Sequence, residues 1–162
     1  MPVSVTTPRG FARLAPALRA LLMRVLKGEG RRLGEVAIVL SDDELLRQIN
    51  RDWRSIDRAT DVISFAYDER EPEALTRPVR GDLFISLDRV NEQAKRFRVT
   101  RGTELARLVV HGALHLCGHD HVRVAERKRM REREESTLRR SRTDARTLDR
   151  LMGDARTNGR VR

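Results

Sequence analysis

Between residues 8 and 27 the apolar side chains Phe11, Leu14, Leu18, Leu21, Leu22 and Val25 recur at three- and four-residue intervals, and Gly28 and Gly30 close the run. That spacing gathers them on one face and predicts a core-packing helix. Val36 to Leu40 is a short, β-branched apolar run that reads as a buried strand. Ser41-Asp-Asp-Glu44 has the capping-box pattern and starts a second helix to about Trp53. Two more strand-like runs follow, Asp61 to Tyr67 and Leu83 to Leu87, joined by a Pro- and Glu-rich loop or hairpin connection over 68–80. Helical spacing resumes from Asp88 to about Arg98. Thr100 or Thr103 then caps a longer helix through Leu105, Leu108, Val109 and Leu114. From His121 to about Arg140 the chain is highly charged with Val122, Val124, Met130 and Leu138 interspersed, which predicts a mostly exposed final helix. Leu148, Leu151 and Met152 stand isolated among polar residues beyond it, so residues 141–162 read as a weakly ordered basic extension with a short helix at 144–152. Few strands interleaved with helices imply an α/β or α+β fold with one small sheet and about five helices, in one domain over 1–140.

Charge adds direction. The net charge is +10, and residues 121–162 carry +7 of it. Of the 34 basic residues 31 are arginine, whose planar fork suits phosphate oxygens. A basic surface favours a polyanionic partner, nucleic acid ahead of membrane, because no basic, aromatic-bearing amphipathic helix is present. No apolar run approaches the roughly 20 residues needed to cross a bilayer, and no secretory signal opens the chain. The expected location is cytoplasmic. The single cysteine, Cys117, excludes an intramolecular disulfide and reads as a small buried residue.

The densest chemistry is His111-Gly-Ala-Leu-His115-Leu-Cys-Gly118-His-Asp-His121, which holds all four histidines of the chain. His111 and His115 are one helical turn apart and project from one face. Gly118 can adopt the left-handed conformation that ends helices, and the turn brings His121 within reach as a third ligand. Three imidazoles leave one position of a tetrahedral cation open, as in catalytic zinc sites, although nickel, copper and iron also accept imidazole. The spacing reproduces every His and Gly of the metzincin motif HExxHxxGxxH, but its general-base Glu is Gly112 here. Asp120 is placed to accept from a ligand imidazole and set its tautomer. His119, outside the ligand spacing, reads as a surface or packing residue.

A second polar cluster, Asn50-Arg-Asp-Trp-Arg54-Ser-Ile-Asp57-Arg-Ala-Thr60-Asp61-Val-Ile-Ser64-Phe65, marks the passage from the second helix to the next strand, a junction where α/β proteins place ligand contacts. Capping accounts for Asn50 and Asp57, turn roles for Thr60 and Asp61, and a place in the strand for Ser64. Arg54 is the residue suited to a phosphate. The two segments together closely resemble the YbeY family of bacterial metal-dependent endoribonucleases. Arg80-Gly81-Asp82-Leu-Phe-Ile-Ser86 resembles that family's GDIxIS strand, and Glu104 and Leu108 its helix leading to the histidines. The likeness spans about residues 35–138. It departs at Ile56, Ala59 and His119, where the family has Lys, Pro and Tyr.

The resemblance implies a small mixed sheet, one zinc-type ion on His111, His115 and His121, and Arg54 as the catalytic and substrate-binding arginine, with Ser86 as a further substrate contact. It implies cleavage of single-stranded rRNA in maturation of the small-subunit 3′ end and in ribosome quality control, with small ribosomal subunit proteins as partners and no membrane. Two rivals stand beside it: a non-catalytic, metal-stabilised ribosome assembly factor, and a metzincin-like zinc peptidase, which Gly112 opposes.

Overall fold

The structure, a computed structural model, describes residues 2–119 and 123–157. Strands β1 (Val3–Thr6), β2 (Leu33–Ser41), β3 (Val62–Ala66) and β4 (Val79–Ser86) form one sheet in the order β1-β2-β4-β3. β2 runs parallel to both β1 and β4, whereas β3 pairs antiparallel with β4, so the sheet is mixed and β3 is an edge. Among the described residues there are six α-helices: α1 (Ala15–Gly28), α2 (Asp43–Arg54), α3 (Leu87–Phe97), α4 (Arg101–Leu116), α5 (Val124–Arg140) and α6 (Arg142–Thr157).

Register explains the core. Val36, Ile38 and Leu40 alternate along β2 and lie opposite Gly81, Leu83 and Ile85 of β4, so one face of the sheet is continuously apolar. Leu18, Leu21, Leu22 and Val25 of α1 and Leu105, Leu108 and Val109 of α4 are buried in the cluster formed on that face. On the other face Leu46 of α2 and Ile63 of β3 are buried apart from that main cluster, and Trp53 of α2 meets Phe65 of β3 edge-on at 6.3 Å.

Side-chain caps start α2, α3 and α4. Asp42, not Ser41, caps α2, its Oδ1 accepting from the Leu45 amide at 2.9 Å, because β2 extends through Ser41; Leu45 then stands where a capping box needs Glu or Gln, so the expected box is replaced by a single cap. Thr100 caps α4, accepting from the Thr103 amide.

Two departures from the sequence reading concern the ends. β1 was not anticipated, since Val-Ser-Val-Thr alternates over only four residues between prolines. The larger departure is α6: the short helix expected at 144–152 runs over Arg142–Thr157 and packs into the body, where a weakly ordered extension was expected. Leu148 and Met152 are fully buried in the main core. Gly102 makes this contact possible, because a Cβ there would come within 2.5 Å of the Asp149 Cα. The Gly102 amide donates to Asp149, Arg101 donates to the Met152 carbonyl, and Arg24 pairs with Asp144 at 2.7 Å. Packing therefore continues across the boundary expected near residue 140, and α5 is not the final helix.

Candidate active site

α4 presents His111 and His115 one turn apart, half-buried, with ring centroids 4.9 Å apart. Both line a cleft of about 900 Å³ that also takes in Val62, Ser64 and Phe65 of β3, and Trp53 and Arg54 at the end of α2. The cleft follows the unpaired edge of β3. Histidines approach from the main-core side of the sheet, and arginine and tryptophan from the other.

Ser64 connects the two sides. Its hydroxyl donates to the Gly112 carbonyl on α4 at 3.2 Å, and its own carbonyl accepts from Arg54 Nη2 at 3.2 Å. Gly112 is what lets α4 lie so close. A Cβ there would overlap Leu83 and come 3.1 Å from Ser64 Oγ and 3.2 Å from Val62 Cγ2. The position where zinc peptidases carry their general base thus faces the sheet, with no room for a carboxylate.

Arg54 is exposed and is the last residue of α2. Ser55 adopts a left-handed φ of 57° and the Ile56 amide bonds back to the Asn50 carbonyl, so the helix ends sharply and the chain turns toward β3. The Arg54 guanidinium lies 5.6 Å from the Phe65 ring centroid. Among the described residues no carboxylate pairs with it. By contrast, Arg31, also in the cleft, is spent on structure: it donates to the carbonyls of Cys117, Ala74 and Arg77, tying the end of α4 to the 67–78 loop.

Behind the histidines is a polar network that the sequence reading missed. Glu134 of α5 places Oε2 3.3 Å from His111 Nδ1, and its Oε1 lies 3.6 Å from Arg107. Arg107 bonds the buried Glu104 at 2.6 Å. Burial opposes charge on Arg107, yet Glu104, Glu134 and Asp61 hold its pKa above the ordinary arginine value. The signal for Glu134 was absent from the local sequence, since it stands 23 residues beyond His111.

The remaining expectations divide. Gly118 does end the histidine helix with a φ of 100°. Cys117 is buried and its thiol is pushed up to about 12 by desolvation. His119 packs against Glu29 at 3.1 Å. Asn50 and Asp57 do not cap: Asn50 ties the following loop to α2 by donating to the Arg58 carbonyl and Asp57 pairs with Arg47, while Asp61 holds the Val62 amide. Ser86 is a correction: it is fully buried, caps α3 by accepting from the Arg89 amide, and donates to Asp43 at 2.7 Å, so it is no substrate contact. His121 and Asp120 lie outside the described residues, and among the described residues no group of three metal-ligating side chains forms.

The family model described as Endoribonuclease YbeY matches residues 11–142. The chain is 42% identical to Endoribonuclease YbeY of Pelotomaculum thermopropionicum over 145 residues, covering 85% of this chain and 95% of that one. It is 44% identical to Endoribonuclease YbeY of Myxococcus xanthus over 133 residues, which are 80% of this chain and 43% of that protein. The fold is similar to the solution structure of TM1509 from Thermotoga maritima, with a TM-score of 0.59 and 26% identity over 96% of this chain and 93% of that one. Matched along most of its length by the family model and by a relative of nearly equal extent, the chain belongs to the Endoribonuclease YbeY family.

Proposed function

We propose that this protein cuts single-stranded RNA internally at a cation held by His111, His115 and His121, with the 3′ end of small-subunit rRNA as its substrate, in the cytoplasm and in contact with small ribosomal subunit proteins. The observation that carries the reading is the shared cleft: two imidazoles on one wall and, across the β3 edge, an arginine with no carboxylate partner among the described residues. The donor chemistry fits a zinc-type ion, since His111 and His115 offer neutral nitrogen ligands on one helical face. When bound, such an ion supplies a Lewis acid for a phosphoryl oxygen and water of pKa about 7.

The protein's own part is positioning and charge. Glu134 holds the proton on His111 Nδ1, which leaves Nε2 as that residue's ligand nitrogen. Arg54 offers a fork of N–H donors to the non-bridging phosphoryl oxygens, whose charge grows as the bond breaks. Removing it should lower kcat by about 100- to 1,000-fold, the loss typical of one such donor. No transmembrane-length apolar helix occurs among the described residues, which agrees with an aqueous substrate.

The test is cleavage of an end-labelled RNA spanning the small-subunit 3′ end by zinc-loaded protein, beside His115→Ala purified identically. Cutting by the wild type alone supports the reading, and a 2′,3′-cyclic phosphate on the product identifies the ribose hydroxyl as nucleophile. Silence from both, with metal confirmed bound, would favour the assembly-factor reading. The peptidase reading meets the packed Gly112 and has no base in that position.

A further inference from the structure

Trp53 is the most exposed large apolar side chain among the described residues, at 76%, and it stands on the rim of the cleft beside Arg54. Leaving an indole in water costs hydrophobic free energy, yet this one leans on Phe65 and otherwise stands largely in solvent. Its Cα lies in the last turn of α2, fixed by the sharp helix end at Ser55. Its ring meets Phe65 at 63°, and Phe65 in turn meets Phe84 at 79°. In an edge-to-face contact at most one face of the indole is covered, so at least one broad face stays open. The charged neighbour the geometry gives it is Arg54, exposed and next in the chain, whose guanidinium lies on the same Phe65 ring at 5.6 Å. An open aromatic face next to an arginine that has no carboxylate partner among the described residues is the arrangement that proteins use to stack bases of single strands.

We propose that Trp53 is a base-stacking residue of the substrate strand. It receives an unpaired base next to the phosphate held by Arg54, and so makes the enzyme select strands whose bases are free to leave a helix. This rests on the endoribonuclease reading and adds a subsite to it. Phe65 is the brace, bearing on Trp53 and on the Arg54 guanidinium at once, which fixes base site and phosphate site to each other.

Trp53 is the only tryptophan of the chain, so intrinsic fluorescence reports on this position alone. The probe is a short single-stranded 2′-O-methyl RNA, labelled for anisotropy and checked intact afterwards, together with copies carrying one abasic nucleotide walked along the strand. Expected are quenching of Trp53 emission on binding, loss of quenching for one abasic position, and affinity about 5- to 150-fold weaker in Trp53→Ala, largely restored in Trp53→Phe. Arg54→Gln should weaken binding and keep the quenching. Because the side chain is exposed, an unchanged thermal melt of Trp53→Ala is expected and separates binding from folding. Binding with unaltered emission and full affinity in Trp53→Ala overturns the stacking proposal, while cleavage by the wild type keeps the endoribonuclease reading. Neither binding nor cleavage by the wild type overturns both. Emission that responds to purified small-subunit proteins and not to RNA overturns stacking and makes Trp53 a protein contact.

Discussion

At position 112 a hydrogen atom does what no side chain can. Adding one methyl group there forces α4 away from Leu83, Ser64 and Val62, so Gly112→Ala should destabilise the protein by about 1–3 kcal/mol, read from urea or thermal unfolding. Gly112→Glu should yield no peptidase activity on a casein substrate. Glu134 is the other residue whose removal is informative: Glu134→Ala should weaken zinc binding about 10- to 100-fold, measured by competition with a chelating dye, with little change in the fold. Cys117 tests burial. With its thiol pushed up to about 12 from an ordinary 9, it stays protonated at pH 8, and iodoacetamide should label it only after unfolding. The sign for stability follows: the unfolded chain loses this proton first, so the contribution is complete below pH 9 and declines as the pH climbs from 9 toward 12. Residues were legible where chemistry and periodicity coincide. His111 and His115 announce themselves because one turn of helix places both on one face. Glu134 does not, because only packing of α5 on α4 brings it there. Ser86 carries the signal of its own role, since a serine directly before a helix is a favoured cap, and its hydroxyl is taken up by the Arg89 amide and Asp43.

Helices and strands were legible where an apolar stripe was long. α2, α3 and α4 follow their periodicity to within a residue or two, whereas α1 starts at Ala15 rather than near residue 8, with Leu14 on a 3-10 turn before it. α6 shows what dilution of the stripe conceals. Ala145, Leu148 and Met152 do repeat at helical spacing, enough to suggest a short helix, but arginine, aspartate and glycine surround them, and without the partner surface of α4 the composition reads as weakly ordered. The partner decides the outcome: α6 lies on α4 at Gly102, so the tail is part of the body that carries the histidines. Leu148→Ala should therefore cost about 2–5 kcal/mol, and a chain ending at Ser141 should unfold at a clearly lower temperature than the full chain. If both variants melted like the wild type, the helix would be an ornament and its burial irrelevant to stability.

For the molecule as a whole, charge sets the terms of encounter with RNA. A net +10 carried almost wholly by arginine predicts fast, salt-sensitive association. The logarithm of the binding constant for single strands should fall linearly with the logarithm of salt, by about 0.7 per phosphate neutralised, and Arg54→Gln should reduce that slope by about one phosphate. Composition made this much visible from the start. It did not show where the strand lies, because the cleft exists only once the sheet order puts β3 on the edge and α2 and α4 on opposite faces.

β3 is five residues long, and Ser64 at its centre holds the arginine by its carbonyl and the histidine helix by its hydroxyl. The strand is thus a ruler laid between the two halves of the cleft. Inserting or deleting one residue within it turns Ser64 to the opposite face and separates the halves. The loop beyond it has no such duty before Arg31 takes hold at Ala74. Doubling its length costs only about 0.6 kcal/mol in closure entropy. Length can therefore vary over 68–73, reshaping that wall of the cleft, while the measure marked by 62–66 stays fixed.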